Sequence, residues 1–117
     1  MKKVLYVDDE EVNLFIFKVS FKDVYDVVTA QSGAKALELL VSNPEIKIVI
    51  TDLRMPIMDG LEFVKVAKTK FGDKVFFLLT GFGITEEIKQ LIDNNMLNNY
   101  FSKPFNKTEI ISEVEKH

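Results

Sequence analysis

The sequence predicts an α/β domain, with a doubly wound parallel sheet of five strands covered by helices on both faces. Three observations point there. Short runs of β-branched and aromatic residues alternate, over all 117 residues, with segments whose apolar residues recur at helical spacing. The strand-like runs are apolar almost throughout, the signature of strands buried on both sides. Turn-forming residues punctuate the boundaries.

Taken in order, "KVLYV" (3–7) is the first strand, and Val12, Phe15, Ile16 and Val19, at i, i+3, i+4, i+7, make the apolar stripe of the first helix. "YDVVTA" (25–30) is the second strand, with Ser32-Gly33 read as a turn and Ala36, Leu37, Leu40 and Val41 as the second helical stripe. Asn43-Pro44 turns the chain into the third strand, "KIVIT" (47–51). Asp59 with Glu62 forms a capping box at the head of a helix striped by Leu61, Val64, Ala67 and Phe71. Gly72-Asp73 precedes "KVFFLL" (74–79), and Ile88, Leu91 and Ile92 face a fourth helix whose Glu86, Glu87 and Lys89 read as a solvated side. After "DNNMLNN" (93–99), a helix end and loop, comes "NYFS" (99–102). Asn106 and Glu109 cap the last helix, Phe105 and Ile110 sit at the positions of a hydrophobic staple, and Ile110, Ile111 and Val114 carry its stripe. Strands alternating with helices require right-handed crossovers, and the commonest five-stranded solution is the flavodoxin-like order 2-1-3-4-5.

Composition narrows the chemistry. The length suits one domain, residues 1–117, with a real hydrophobic core, and no linker, repeat or low-complexity tract divides it. A net charge of −3 gives no basic footprint for nucleic acid. There is no cysteine, which excludes disulfides and thiolate metal sites, and the one histidine is His117, the last residue. The N-terminal apolar run is too short for a signal peptide, and nothing approaches a membrane span, so a cytoplasmic protein is expected.

Open parallel sheets bind ligands beyond the carboxyl ends of their strands, near the switch in strand order. Here the first strand ends in Asp8-Asp9-Glu10, the third in Asp52, the fourth in Thr80-Gly81 and the fifth in Lys103-Pro104. Carboxylates so clustered repel one another unless a cation sits among them, and hard oxygen ligands suit Mg²⁺. A metal and a lysine together cradle a transferring phosphoryl group, and with no thiol or imidazole at this edge a carboxylate is the nucleophile, which makes Asp52 the reactive group. Each feature has a plainer reading: the acids after the first strand as the dipole-favoured first turn of a helix, Asp52 as a loop acid, Thr80 as a turn residue, Tyr100 as half-buried packing, Lys103-Pro104 as an ordinary turn. Their convergence on one edge favours a site.

"VDDE" (7–10), "TDLRMPIMDG" (51–60), "LLTG" (78–81) and "YFSKPF" (100–105), in this order and at strand ends, resemble the receiver domain of two-component response regulators, over essentially the whole chain and in the layout of the single-domain chemotaxis regulators. The resemblance implies a phosphoacceptor signalling switch with no output domain. It implies no enzyme activity beyond self-catalysed phosphoacceptance and slow autodephosphorylation. Asp52 would take the phosphoryl group from a sensor histidine kinase or phosphotransfer protein. Asp9 would ligate Mg²⁺ (Mn²⁺ being the alternative) directly, alongside Asp52 and the backbone carbonyl of Arg54, with Asp8 acting through water. Lys103 and the Gly81 amide would meet the phosphoryl oxygens. Thr80 would swing toward them and Tyr100 turn inward, changing the surface of the fourth helix, fifth strand and fifth helix that a downstream protein reads, with no direct contact to nucleic acid or membrane. The Lys103–Pro104 bond would be cis.

Three departures stand out: Gly81 stands where alanine or another small residue is usual, Met96-Leu97 replace a Gly-Ala pair so that Asn95 must supply any left-handed turn, and the last helix is short. Bulky Arg54 and Phe82 fill the two variable positions flanking the site. Two other functions remain open on sequence: an aspartate-nucleophile phosphohydrolase, although its Asp-x-Asp pair is here the adjacent Asp8-Asp9, and an adapter that keeps the fold without phosphorylation.

Overall fold

A computed structural model describes residues 1–117. The elements run β1 (Lys3–Val7), α1 (Glu11–Phe21), β2 (Asp26–Ala30), α2 (Gly33–Ser42), β3 (Ile48–Asp52), α3 (Gly60–Lys70), β4 (Val75–Thr80), α4 (Glu86–Asp93), β5 (Asn99–Ser102) and α5 (Lys107–Val114). All five strands are parallel and stand in the order β2-β1-β3-β4-β5, as the alternation of elements predicts. No helix is long and apolar enough to cross a membrane.

The sheet buries both faces. On one side Leu5, Val7, Val49, Phe76 and Leu78 meet Ala36, Leu40, Leu61, Val64, Ala67, Ile88 and Leu91 of α2, α3 and α4. On the other, Val4, Tyr6, Ile48, Ile50, Phe77 and Leu79 meet Leu14, Phe17 and Phe21 of α1 and Ile110 and Val114 of α5. Side chains alternate faces along a strand, so Asp8 follows Tyr6 and Asp52 follows Ile50 toward the α1–α5 side.

The helix starts have physical causes. Asp59 accepts from the Glu62 amide at 2.9 Å, Asn106 from Glu109 at 2.9 Å, and Thr85, unmarked by the sequence reading, from Ile88 at 3.2 Å. Phe105 and Ile110 pack in the same layer, as a staple requires. Ser32 is the cap of α2, accepting from Lys35, and Gly33 its first residue, so this pair starts a helix where a turn is expected. Asn95 takes the left-handed conformation, φ 61°, at the exit of α4.

One helix differs from expectation. On α1 the stripe of Val12, Phe15, Ile16 and Val19 points to solvent, 66%, 69%, 47% and 44% exposed, while Leu14, Phe17 and Phe21 face the sheet. Both stripes have helical spacing. The inward one wins because Phe17 stacks on Tyr6 of β1, with centroids 4.1 Å apart, and packs on Phe105, 5.6 Å away. Val41, at the end of the α2 stripe, is likewise exposed.

Ile57, in the loop after β3, has φ 71° with its side chain fully in solvent. A β-branched residue there carries strain of about 1–3 kcal/mol with no burial to offset it. Ile57→Gly relieves the strain while adding about 0.7 kcal/mol of unfolded-state entropy cost, so a gain of about 1 kcal/mol is expected in urea unfolding.

Candidate functional site

The strand ends bring the predicted residues together. Asp8 lies just beyond β1 and is fully buried, Asp52 is the last residue of β3 and 7% exposed, and Asp9 is half-buried between them and solvent. One carboxylate oxygen from each of Asp8, Asp9 and Asp52 lies within 4.8 Å of the others. From the loop after β5, the Lys103 ammonium reaches Asp52 Oδ1 at 2.8 Å and stands 4.0 Å from Asp8 Oδ2. The Lys103–Pro104 peptide bond is cis.

Electrostatics follow from the crowding. Burial pushes the Asp52 carboxyl above its usual range; the Lys103 hydrogen bond opposes this, and the Asp8 charge adds to it. One lysine does not neutralise three acids. Their oxygens, all hard donors within 4.8 Å of one another, fit a small divalent cation such as Mg²⁺.

Thr80, the last residue of β4, is 1% exposed, and its Oγ1 accepts from the Phe82 amide at 3.0 Å. Gly81 is exposed and lies beside Lys103: a Cβ there would stand 3.8 Å from the Lys103 Cβ, ordinary contact. Arg54 is exposed, two residues past Asp52, with its guanidinium carbon 4.2 Å from the centre of the Phe82 ring. The loops after β3 and β4 are thus joined across the mouth of the site by a cation–π contact that the sequence reading did not foresee. Tyr100 stands apart from the acids. It is half-buried on β5 and packs against the layer that holds Ile88 and Leu91.

One residue the sequence reading left out belongs here. Tyr6 donates its phenol proton to Asp8 Oδ2 at 2.8 Å, and burial, with the Asp8 and Asp52 charges, holds that phenol protonated far above its usual range. Its one signal was a hydroxyl in an otherwise aliphatic strand core. Asp8 Oδ1 accepts from the Glu10 amide at 3.0 Å, so these acids precede α1 rather than forming its first turn.

Gly60 is fixed by close approach rather than by φ. Its amide donates to Leu53 O at 2.8 Å, and a Cβ would fall inside the van der Waals radius of the Asp52 carbonyl oxygen and 3.0 Å from Leu53 Cα. The "DG" after "MPIM" therefore lets α3 start on top of the residue that carries the central carboxylate.

Comparison with known proteins agrees with this geometry. A chemotaxis protein CheY homolog of Campylobacter jejuni is 34% identical, over 97% of this chain and 89% of that protein. Sporulation initiation phosphotransferase F of Bacillus subtilis is 29% identical, over 99% and 93%. Among solved structures, response regulator protein TrrA of Thermotoga maritima, in complex with Mg(2+)-BeF, superposes with a TM-score of 0.83 at 30% identity, covering 99% of this chain and 98% of that one. The family model described as the response regulator receiver domain matches residues 4–115, and the chain belongs to that family.

Proposed function

We propose that Asp52 accepts a phosphoryl group from a phosphohistidine on a sensor kinase or phosphotransfer protein, with Mg²⁺ held by Asp9, Asp52 and the Arg54 carbonyl and, through water, by Asp8. As a receiver domain the chain is a phosphoacceptor switch of two-component signalling. The observation that carries the residue-level reading is the meeting of three carboxylates and Lys103 at the edge where the strand order reverses. The Mg(2+)-BeF complex of the Thermotoga relative supports it.

The ionised Asp52 carboxylate attacks phosphorus, the P–N bond of the donor breaks with its electron pair going to the imidazole nitrogen, and an acyl phosphate forms. Bound Mg²⁺ supplies charge neutralisation for the phosphoryl oxygens. Lys103, already 2.8 Å from Asp52, shifts to a phosphoryl oxygen, and the Gly81 amide donates to another. The Thr80 hydroxyl, which now only accepts from Phe82, turns its proton to the new group. Tyr100 follows into the space, and the α4–β5–α5 surface changes for a downstream protein.

The test is incubation with acetyl phosphate and Mg²⁺ followed by intact mass. Wild type gains one phosphoryl group; Asp52→Ala, and wild type in EDTA, gain none. Unmodified wild type, or a modified Asp52→Ala, rejects the reading.

The donor's docking face is α1. Its exposed Val12, Phe15, Ile16 and Val19 adjoin the site, since Ile16 and Asn13 line one cavity of about 290 Å³ with Lys103, and they suit an apolar helix on the donor. Phe15→Glu is expected to slow phosphorylation by a phosphohistidine protein tenfold or more, by about the energy of an interface anchor, while leaving the acetyl phosphate rate unchanged. Equal loss with both donors removes α1 from the interface.

Arg54 over Phe82 screens the acyl phosphate from water. Arg54→Asn removes a contact of about 1 kcal/mol, so dephosphorylation should quicken by roughly three- to tenfold. An unchanged or slower rate, followed by mass after donor removal, rejects the screen.

A further inference from the structure

We infer that Tyr6 is a positioning residue for the acidic site: its hydroxyl fixes the Asp8 carboxylate and so sets how tightly the site holds a divalent cation. The inference rests on the metal reading above. Tyr6 is 2% exposed and Asp8 is fully buried, and they lie on the same face of one strand, two residues apart. Asp8 Oδ2 receives the Tyr6 hydroxyl at 2.8 Å and Asp8 Oδ1 receives the Glu10 amide at 3.0 Å. With a donor on each oxygen the carboxylate cannot rotate, and its remaining lone pairs keep one direction. That suits a ligand acting through an ordered water, which demands orientation more than charge.

The hydroxyl is itself held rigidly. The Tyr6 ring stacks on Phe17, 4.1 Å between centroids at 10°, and Phe17 packs on Phe105, 5.6 Å away. Phe105 follows Lys103 by two residues, so one aromatic cluster anchors both Asp8 and the loop that carries the ammonium.

A second consequence concerns Lys103. It stands 4.0 Å from Asp8 Oδ2, the very oxygen that Tyr6 occupies, and 2.8 Å from Asp52 Oδ1. A phenylalanine at position 6 would fill the same space and leave that buried oxygen without its donor. Coulomb attraction would then draw Lys103 toward Asp8, into the space between the acids. The Tyr6 hydroxyl thus keeps the ammonium on Asp52 and the cation position open. The plainer alternative is a core tyrosine whose hydroxyl merely found the nearest acceptor.

Mg²⁺ titration by calorimetry on the unphosphorylated protein separates the two, with thermal unfolding in EDTA as the control for folding. Tyr6→Phe is expected to weaken Mg²⁺ binding about tenfold, as loss of a partner behind a metal ligand typically does. In an Asp8→Asn background the same change should cost nothing further, because Tyr6 acts through Asp8. Affinity of Tyr6→Phe within about twofold of wild type, or an equal loss in the Asp8→Asn background, overturns the inference. Should Tyr6→Phe fail to fold, Phe17→Leu, which keeps the hydroxyl but loosens its ring, decides: about threefold weaker binding supports the role and unchanged binding refutes it. Wild type that binds no Mg²⁺ would instead sink the metal reading itself.

Discussion

Gly60→Ala is expected to cost the fold roughly 3 kcal/mol and to abolish phosphorylation by acetyl phosphate. The added methyl would collide with the Asp52 carbonyl oxygen and crowd Leu53 Cα at 3.0 Å. Both neighbours are backbone, so no rotamer change relieves the clash. Either α3 lifts from the sheet, breaking the Gly60 amide bond to Leu53 O and the Asp59 cap on Glu62, or the end of β3 is displaced. Overpacking of this kind commonly costs about 1–3 kcal/mol, and the lost cap adds about 1 more. Phosphoacceptance falls for a separate reason: shifting Asp52 by even part of an ångström disturbs its placement against Asp9 and Lys103, and phosphoryl transfer depends on positioning. The contrast is Gly81→Ala, where the methyl meets only Lys103 carbons at 3.8 Å and 3.9 Å and should leave stability nearly unchanged. Urea unfolding and intact mass measure both; a Gly60→Ala protein as stable as Gly81→Ala would show that the β3–α3 junction has slack.

What was legible in the sequence, and what was not, divides along physical lines. Sheet order and strand positions follow from the alternation of continuous apolar runs with helical periods, and each strand was placed within a residue of its observed bounds. The acids, Thr80, Gly81 and Lys103 were legible because topology alone puts strand ends on one edge. The inward face of α1 was not. That helix carries two stripes of proper spacing, and the choice depends on rings across the interface, Tyr6 and Phe105, which periodicity does not see. Nor was the positive φ of Ile57, since a β-branched residue signals the opposite. Tyr6 was hidden because tyrosine in a strand reads as a β-former; its use appears only when the period of two sets its hydroxyl against Asp8. The Arg54–Phe82 contact needed two loop conformations, which no local pattern supplies.

Asp52→Asn should be more stable than wild type in EDTA at neutral pH. Burial and the neighbouring Asp8 charge disfavour ionised Asp52 more than the Lys103 hydrogen bond favours it, so its carboxyl sits above the ordinary Asp value of 3.8. The sign follows from linkage. A carboxyl whose folded pKa is raised takes up protons more readily in the folded state, so its contribution to stability is fully present below the unfolded pKa and is lost as pH rises through the folded one. Wild type is therefore penalised at pH 7, and asparagine, which keeps the shape without the charge, removes the penalty. Lys103 does not become an orphan, because Asp8 Oδ2 is already 4.0 Å away. Lowering the pH through the carboxylate range should close the gap as Asp52 protonates. Mg²⁺ should close it at neutral pH, since a cation bound only by the folded state stabilises wild type by RT ln(1 + [Mg²⁺]/Kd) and Asp52 is one of the ligands proposed for it. Urea unfolding of both proteins at pH 4 and pH 7, with EDTA and with saturating Mg²⁺, reads all four comparisons. A variant less stable than wild type in EDTA at pH 7 would mean that the Lys103 pair outweighs the crowding of Asp52.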